Sequence, residues 1–170
     1  SNHKEDENCV RYSPDGRLLA SACEDGRVRL WDLTSGVWRA LSPKHNGEVL
    51  GLATSRDGKL LAAAGVDRIV RIWTTTDQVL VAELTGHQAT IQGLAFSPDG
   101  SSVASADRSG LVILWDVVKP GQRAFMRSGS GVFGVDYSPD GSLLATAESN
   151  GVVRLWDAAS GGELRELGRH

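Results

Sequence analysis

A four-residue motif returns four times along the chain at a nearly constant interval, and this confines the fold more than any other feature. Ser-Pro-Asp-Gly stands at Ser13 to Gly16, Ser97 to Gly100 and Ser138 to Gly141, with Ser-Arg-Asp-Gly at Ser55 to Gly58; the intervals are 42, 42 and 41 residues. Tryptophan keeps the same beat at Trp31, Trp73, Trp115 and Trp156, each 18 residues after the serine of its turn. Two independent markers in one phase describe four copies of one structural unit rather than one irregular domain.

The content of a unit is all-β. Ile91 to Ser97 alternates in part, and the Pro, Asp and Gly of the next motif suit a tight turn in which the aspartate bonds its own backbone. Ser102 to Ala106 is small and apolar, as a strand packed between neighbouring sheets requires, and Leu111 to Val117 is β-branched and aromatic. Val79 to Leu84 shows most clearly a fourth, shorter strand, and helical periodicity is absent throughout. Four strands in a unit of about 40 residues is the signature of a propeller array.

Composition excludes several other classes. The chain has 41% hydrophobic and 23% charged residues and a formal net charge of -3, with Lys and Arg scattered singly, so nucleic acid is not an expected partner. Leu60 to Val66 is the longest apolar-or-glycine run, far short of a membrane helix, and the first eight residues have no secretory h-region. No membrane partner is expected. Cys9 and Cys23 lack metal-site spacing and read as reduced, half-buried strand residues in a cytoplasmic protein. Gly129, Gly131 and Gly134 spell GxGxxG, but a strand follows instead of the helix that dinucleotide binding needs, so no cofactor is expected.

The turn motif, then Leu-Leu-Ala-Ser-Ala, then Val-Arg-Leu-Trp-Asp, then a Gly-His pair such as Gly86-His87, resembles the WD-repeat family over the whole chain. Trp31-Asp32, Trp115-Asp116 and Trp156-Asp157 carry the family's dipeptide; Trp73-Thr74 departs from it. The resemblance implies four blades over about residues 3–44, 45–86, 87–127 and 128–169 of one propeller segment. His3 and His170 fall on the first position of a unit, so the expectation is four whole blades: part of a longer repeat protein, one half of an eight-bladed ring of two copies, or a solitary closure. Glu7 occupies the inward position of Val49, Ile91 and Val132, so the first strand is expected to begin late, near Cys9, with residues 1 to 7 loosely held.

The family also implies a hydrogen-bonded relay of His, Ser, Asp and Trp, found 28, 10 and 6 residues before each tryptophan. Imidazole and hydroxyl both donate and accept, indole only donates and carboxylate only accepts, so the set pins loops together and no catalytic triad is implied. The members are His3, Ser21, Asp25 and Trp31; His45, Asp67 and Trp73, with Ala63 for the serine; His87, Ser105 and Trp115, with Ser109 for the aspartate; and Thr146, Asn150 and Trp156, with Ser128 for the histidine. WD-repeat domains are interaction platforms, and their commonest contact face carries over by position to Asp6, Glu48, Thr90 and Gly131, to Asn8, Leu50, Gln92 and Phe133, and to Glu24, Val66, Arg108 and Ser149. Leu50, Val66 and Phe133 are apolar where solvent is otherwise met, with Arg108 and the carboxylates around them, which suits a protein or peptide. The implied function is a non-catalytic scaffold or sensor module; the alternatives are a self-assembling half-propeller and a regulatory domain of an enzyme whose catalytic part lies elsewhere.

Overall fold

The computed structural model describes residues 7–169 and contains, among them, four antiparallel sheets of four strands each. The first holds β1 (Glu7–Tyr12), β2 (Leu18–Cys23), β3 (Val28–Asp32) and β4 (Trp38–Ala40); the second β5 (Val49–Thr54), β6 (Leu60–Gly65), β7 (Ile69–Thr74) and β8 (Leu80–Thr85). The third holds β9 (Ile91–Phe96), β10 (Ser102–Asp107), β11 (Leu111–Asp116) and β12 (Gly121–Arg127); the fourth β13 (Val132–Tyr137), β14 (Leu143–Glu148), β15 (Val152–Asp157) and β16 (Glu163–Arg169). Strand order within every sheet is sequence order, so each repeat is one meander.

The repeated turn explains where the first hairpin of each sheet folds back. Ser13 Oγ donates to Asp15 Oδ1 at 2.6 Å and accepts from Leu18 N at 2.9 Å, while Arg17 N donates to the same carboxylate at 3.1 Å. The serines and aspartates at 55 and 57, 97 and 99, and 138 and 140 repeat the pattern. Those hydroxyl and amide donors hold Asp15, Asp57, Asp99 and Asp140 below the ordinary carboxylate range, Asp140 to about 2.

The core lies between the sheets. Ala20, Ala22, Val28 and Leu30 of the first sheet pack on Val49, Leu52, Leu61 and Trp73 of the second. Val70 and Ile72 pack on Ile91, Ile113 and Trp115 across the next junction, and Ala104, Val112 and Leu114 on Val132, Leu144 and Trp156 across the last. Small residues fill β6 and β10 because these strands are covered by a neighbouring sheet on both faces. Full burial of side chains such as Leu61, Ile72 and Ile113 stabilises the fold by about 1.5–3 kcal/mol each.

The first strand differs from the sequence expectation. β1 already begins at Glu7, which pairs with Cys23. Val49, Ile91 and Val132 are buried against a preceding sheet, whereas the corresponding face of the first sheet is open, leaving Tyr12 63% and Trp38 47% exposed. Glu7 therefore keeps contact with water while accepting from Cys23 Sγ at 3.0 Å and Arg29 Nη1 at 3.5 Å. Cys23 is fully buried rather than half-buried, and burial followed by the Glu7 contact pushes its thiol up to about 12.

Candidate interaction face

The first strand of every sheet carries one bulge at the same place. Glu7 pairs with Cys23 but Cys9 with Ala22, and the same slip separates Val49 from Gly51, Ile91 from Gly93 and Val132 from Gly134. Asn8, Leu50, Gln92 and Phe133 are the residues left without a strand partner. A bulge re-aims the side chain it carries. Here it does so four times in one rank, because β1, β5, β9 and β13 run side by side. The glycines after the bulges allow the approach: a Cβ on Gly51 would lie 3.3 Å from the Gln92 carbonyl oxygen, and one on Gly93 3.1 Å from Val135 N.

A second recurring bond ties two loops of the second, third and fourth sheets to this rank. Val66 N donates to Glu48 O at 3.0 Å, Arg108 N to Thr90 O at 3.0 Å and Ser149 N to Gly131 O at 2.7 Å. The structure thus brings Glu48 to Val66, Thr90 to Arg108 and Gly131 to Ser149 in pairs. Glu48, Arg108 and Ser149 are exposed and Leu50, Thr90 and Gln92 half-buried, while the apolar Val66 and Phe133 remain 41% and 50% exposed. Glu24 is exposed, Asn8 donates from Nδ2 to Val49 O at 3.1 Å, and Asp6 lies outside the described residues.

Beneath this face lie the polar side chains around each tryptophan. In the third sheet Trp115 Nε1 donates to Ser105 Oγ at 2.7 Å, Ser105 Oγ lies 2.6 Å from His87 Nε2, and His87 Nδ1 lies 2.7 Å from Asp107 Oδ2. The carboxylate is Asp107, at the end of β10, and Ser109 donates to it from N and Oγ at 2.8 and 2.6 Å. Ser109 and Asp107 therefore cooperate where the offset alone pointed to Ser109. Asp107 lies two residues beyond Ser105 on one strand, a spacing that puts both side chains on one face, and this was the overlooked signal.

The other sheets depart in separate ways. In the first, Trp31 Nε1 donates to Ser21 Oγ at 3.0 Å and Asp25 accepts from Arg27 N at 2.9 Å; His3 lies outside the described residues. In the second, His45 Nδ1 lies 3.0 Å from Asp67 Oδ1, but Ala63 offers no hydroxyl, Trp73 Nε1 donates to Ser42 O at 3.0 Å, and buried His45 Nε2 has no partner among the described residues. Burial alone would raise the Asp67 carboxyl; hydrogen bonds from His45 and Arg71 hold it well below the usual range instead. In the fourth, Trp156 Nε1 donates to Thr146 Oγ1 at 2.9 Å, Asn150 Oδ1 accepts from Val152 N at 3.0 Å, and Ser128 turns to Ser130 O at 3.0 Å.

An arginine two residues before tryptophan forms a further device that sequence reasoning missed. Arg71 donates to Asp67 at 2.6 Å and to Glu83 at 2.7 Å, and Arg154 donates to Glu148 at 2.7 Å and to Glu163 at 2.8 Å. Arg29 reaches Glu7, Asp25 and the Cys23 sulfur and lies over the Trp38 ring. The Val-Arg-Leu-Trp and Val-Arg-Ile-Trp strings were visible as a recurrence. Part of the acidic set lies at fixed offsets, Asp25 and Asp67 four residues before their arginines and Glu83 and Glu166 twelve after theirs, while Glu7, Glu148 and Glu163 come from other spacings.

A family model described as "WD domain, G-beta repeat" matches residues 1–32, 39–74, 78–116 and 122–157. The chain belongs to the WD-repeat family. Over 43 residues, 23% of this chain and 12% of the relative, it is 46% identical to the human serine-threonine kinase receptor-associated protein. Over 53 residues it is 40% identical to the periodic tryptophan protein 2 homolog of Dictyostelium discoideum, covering 31% of this chain and 6% of that one. The solved structure of the RRP9 WD40 repeats superposes with a TM-score of 0.86 at 25% identity over 96% of this chain; that of U3-55K gives 0.86 at 24%. The chain spans about half the length of these solved chains, 52%, and much less of the curated relatives.

Within this WD-repeat architecture, the serine, histidine and aspartate of the third sheet are buried together. Ser105 is fully buried, and its oxygen already accepts the indole proton. Gly129 and Gly131 precede β13 and Gly134 lies within it, so this GxGxxG run opens no helix. The gap at Ala63 is open to direct test. Ala63→Ser is expected to stabilise the protein by about 1 kcal/mol by giving His45 Nε2 a buried partner. Chemical denaturation measures this, and a lowered midpoint would mean the hydroxyl does not fit.

Proposed function

We propose that this chain is a non-catalytic interaction scaffold that holds a protein or peptide partner on the face formed by Glu48, Leu50, Val66, Thr90, Gln92, Arg108, Phe133 and Ser149. The observation that carries the reading is the rank of four bulges, which presents adaptable side chains on a rigid support without disturbing the packed strands below. Apolar Leu50, Val66 and Phe133 inside a polar surround supply the anchors and rim that such interfaces use. The setting of the reading is cytoplasmic, where Cys9 and Cys23 stay reduced.

The outer faces of the first and fourth sheets suit further blades, in cis or from a second copy in trans. Tyr12 and Trp38 on one side and Leu167, 51% exposed, on the other occupy faces that are buried at the three internal junctions.

The test uses peptides selected on the immobilised protein from a random display library. Leu50→Ala combined with Phe133→Ala is expected to weaken the selected peptides about tenfold or more while leaving thermal unfolding close to wild type. Equal losses of binding and thermal stability would mean that the two side chains serve packing instead.

A further inference from the structure

We infer that the segment held by this face carries a carboxylate side chain, seated on Arg108, beside an apolar residue packed on Phe133. The inference rests on the scaffold reading above and specifies its partner. Arg108 differs from the arginines beside the tryptophans: Arg29, Arg71 and Arg154 are each neutralised by carboxylates, whereas Arg108 pairs with none among the described residues.

It is nevertheless held in place. With its amide turned so that the oxygen faces the guanidinium, the orientation that satisfies both groups, Gln92 accepts from Arg108 Nε at 3.0 Å and from Nη2 at 3.1 Å. One edge of the guanidinium is thereby fixed by a neutral group, leaving the positive charge intact and Nη1 on the other edge available to a planar carboxylate. The conformational freedom that an exposed arginine normally loses on binding is already given up, so the contact forms at lower entropic cost.

Backbone geometry brings the apolar half of the seat close by. Arg108 N is tied to Thr90 O, and Gly131 packs so tightly that a Cβ on it would fall 2.6 Å from Arg108 O. Phe133, the bulged residue of the fourth sheet, follows Gly131 by two positions. Gln92, the bulged residue of the third sheet, is the brace itself. Exposed Glu48 on the second sheet repels an acidic group, which leaves the third and fourth sheets as the favoured register. One cation in a chain of net charge -3 fits a single carboxylate better than a polyphosphate backbone.

The test selects one random display library separately on wild type, Arg108→Gln and Arg108→Glu, and then measures synthetic peptides of the wild-type consensus. Wild type is expected to enrich Asp or Glu next to an aromatic or aliphatic residue. The consensus peptide should bind Arg108→Gln about tenfold or more weakly, and Arg108→Glu should prefer the same peptide with Lys in place of the acid. Because Arg108 is exposed, both variants should melt with wild type. Wild-type peptides that depend on Phe133 but are indifferent to Arg108 would overturn the seat and leave the scaffold reading standing. Tighter binding of a phosphoserine version than of the glutamate version would overturn the carboxylate assignment. Failure of wild type to enrich any peptide would count against the scaffold reading and the seat together.

Discussion

Asp107→Ala should lower the unfolding free energy by about 3–5 kcal/mol, the range expected when a buried, multiply bonded carboxylate is removed from its partners. Asp107 is fully buried and accepts from Ser109 N and Oγ and from Leu111 N at 3.1 Å, besides its contact with His87. Alanine would leave these donors stranded in the interior, where no water replaces the lost oxygen atoms. Chemical denaturation gives the measurement, and a loss below about 1 kcal/mol would show that the relay contributes little to stability.

The same cluster fixes a direction for the pH dependence. Burial pushes the His87 imidazole below the ordinary histidine value of 6.5, although Asp107 pulls it the other way. Burial acts to raise the Asp107 carboxyl, but hydrogen bonds from Ser109, His87 and Leu111 hold it below the ordinary 3.8. The unfolded chain therefore takes up the histidine proton first as pH falls. The contribution from neutral His87 is complete above 6.5 and drains away below it; that from Asp107 is present above 3.8 and is lost as pH falls further. Denaturation midpoints should fall from neutral pH to about pH 5, and less steeply in His87→Gln. An identical slope in that variant would remove His87 as the source.

Gly65→Ala should cost about 3 kcal/mol, at the upper end for inserting a carbon into a packed site. A Cβ there would lie 1.9 Å from Glu48 O and 2.9 Å from Val49 Cα, both backbone atoms, so no rotamer relieves the clash. Cys23, Asp107 and Glu148 hold the corresponding places in the other sheets, paired in the same way to Glu7, Ile91 and Val132, and all carry a Cβ. The constraint thus belongs to the close approach of Glu48 in the second sheet. Its relief should break the Val66 N to Glu48 O bond and displace Leu50, so peptide binding should fall along with the melting temperature. Unchanged melting would show that the loop moves aside freely.

The architecture was legible because a turn, a tryptophan and the strands between them each left a mark at fixed spacing. A meander keeps all its pairings local in sequence, so periodicity conveyed the four strands of each unit, while their register came from the structure. The relay was less legible. Its carboxylate in the third sheet is Asp107, because strand residues two apart point to one side and either position can reach the histidine. At Glu7 the expected burial cost was sound for a covered strand, but this strand has an open face and Arg29 beside it. The candidate face was taken from family position, yet the bulges behind it leave no mark in composition; only pairing reveals that residues 8, 50, 92 and 133 stand outside the ladder.

The three separate apolar junctions have a consequence for how this molecule answers damage. Among the described residues no single core is shared by all four sheets, so the energetics approach those of a row of units coupled only to their neighbours. A lesion at Ile113 loosens the second and third sheets together, while one on β16 is felt by the fourth alone. Selection can therefore vary one blade's surface with little penalty two blades away, which is how a repeated scaffold can acquire four unlike copies of the same unit.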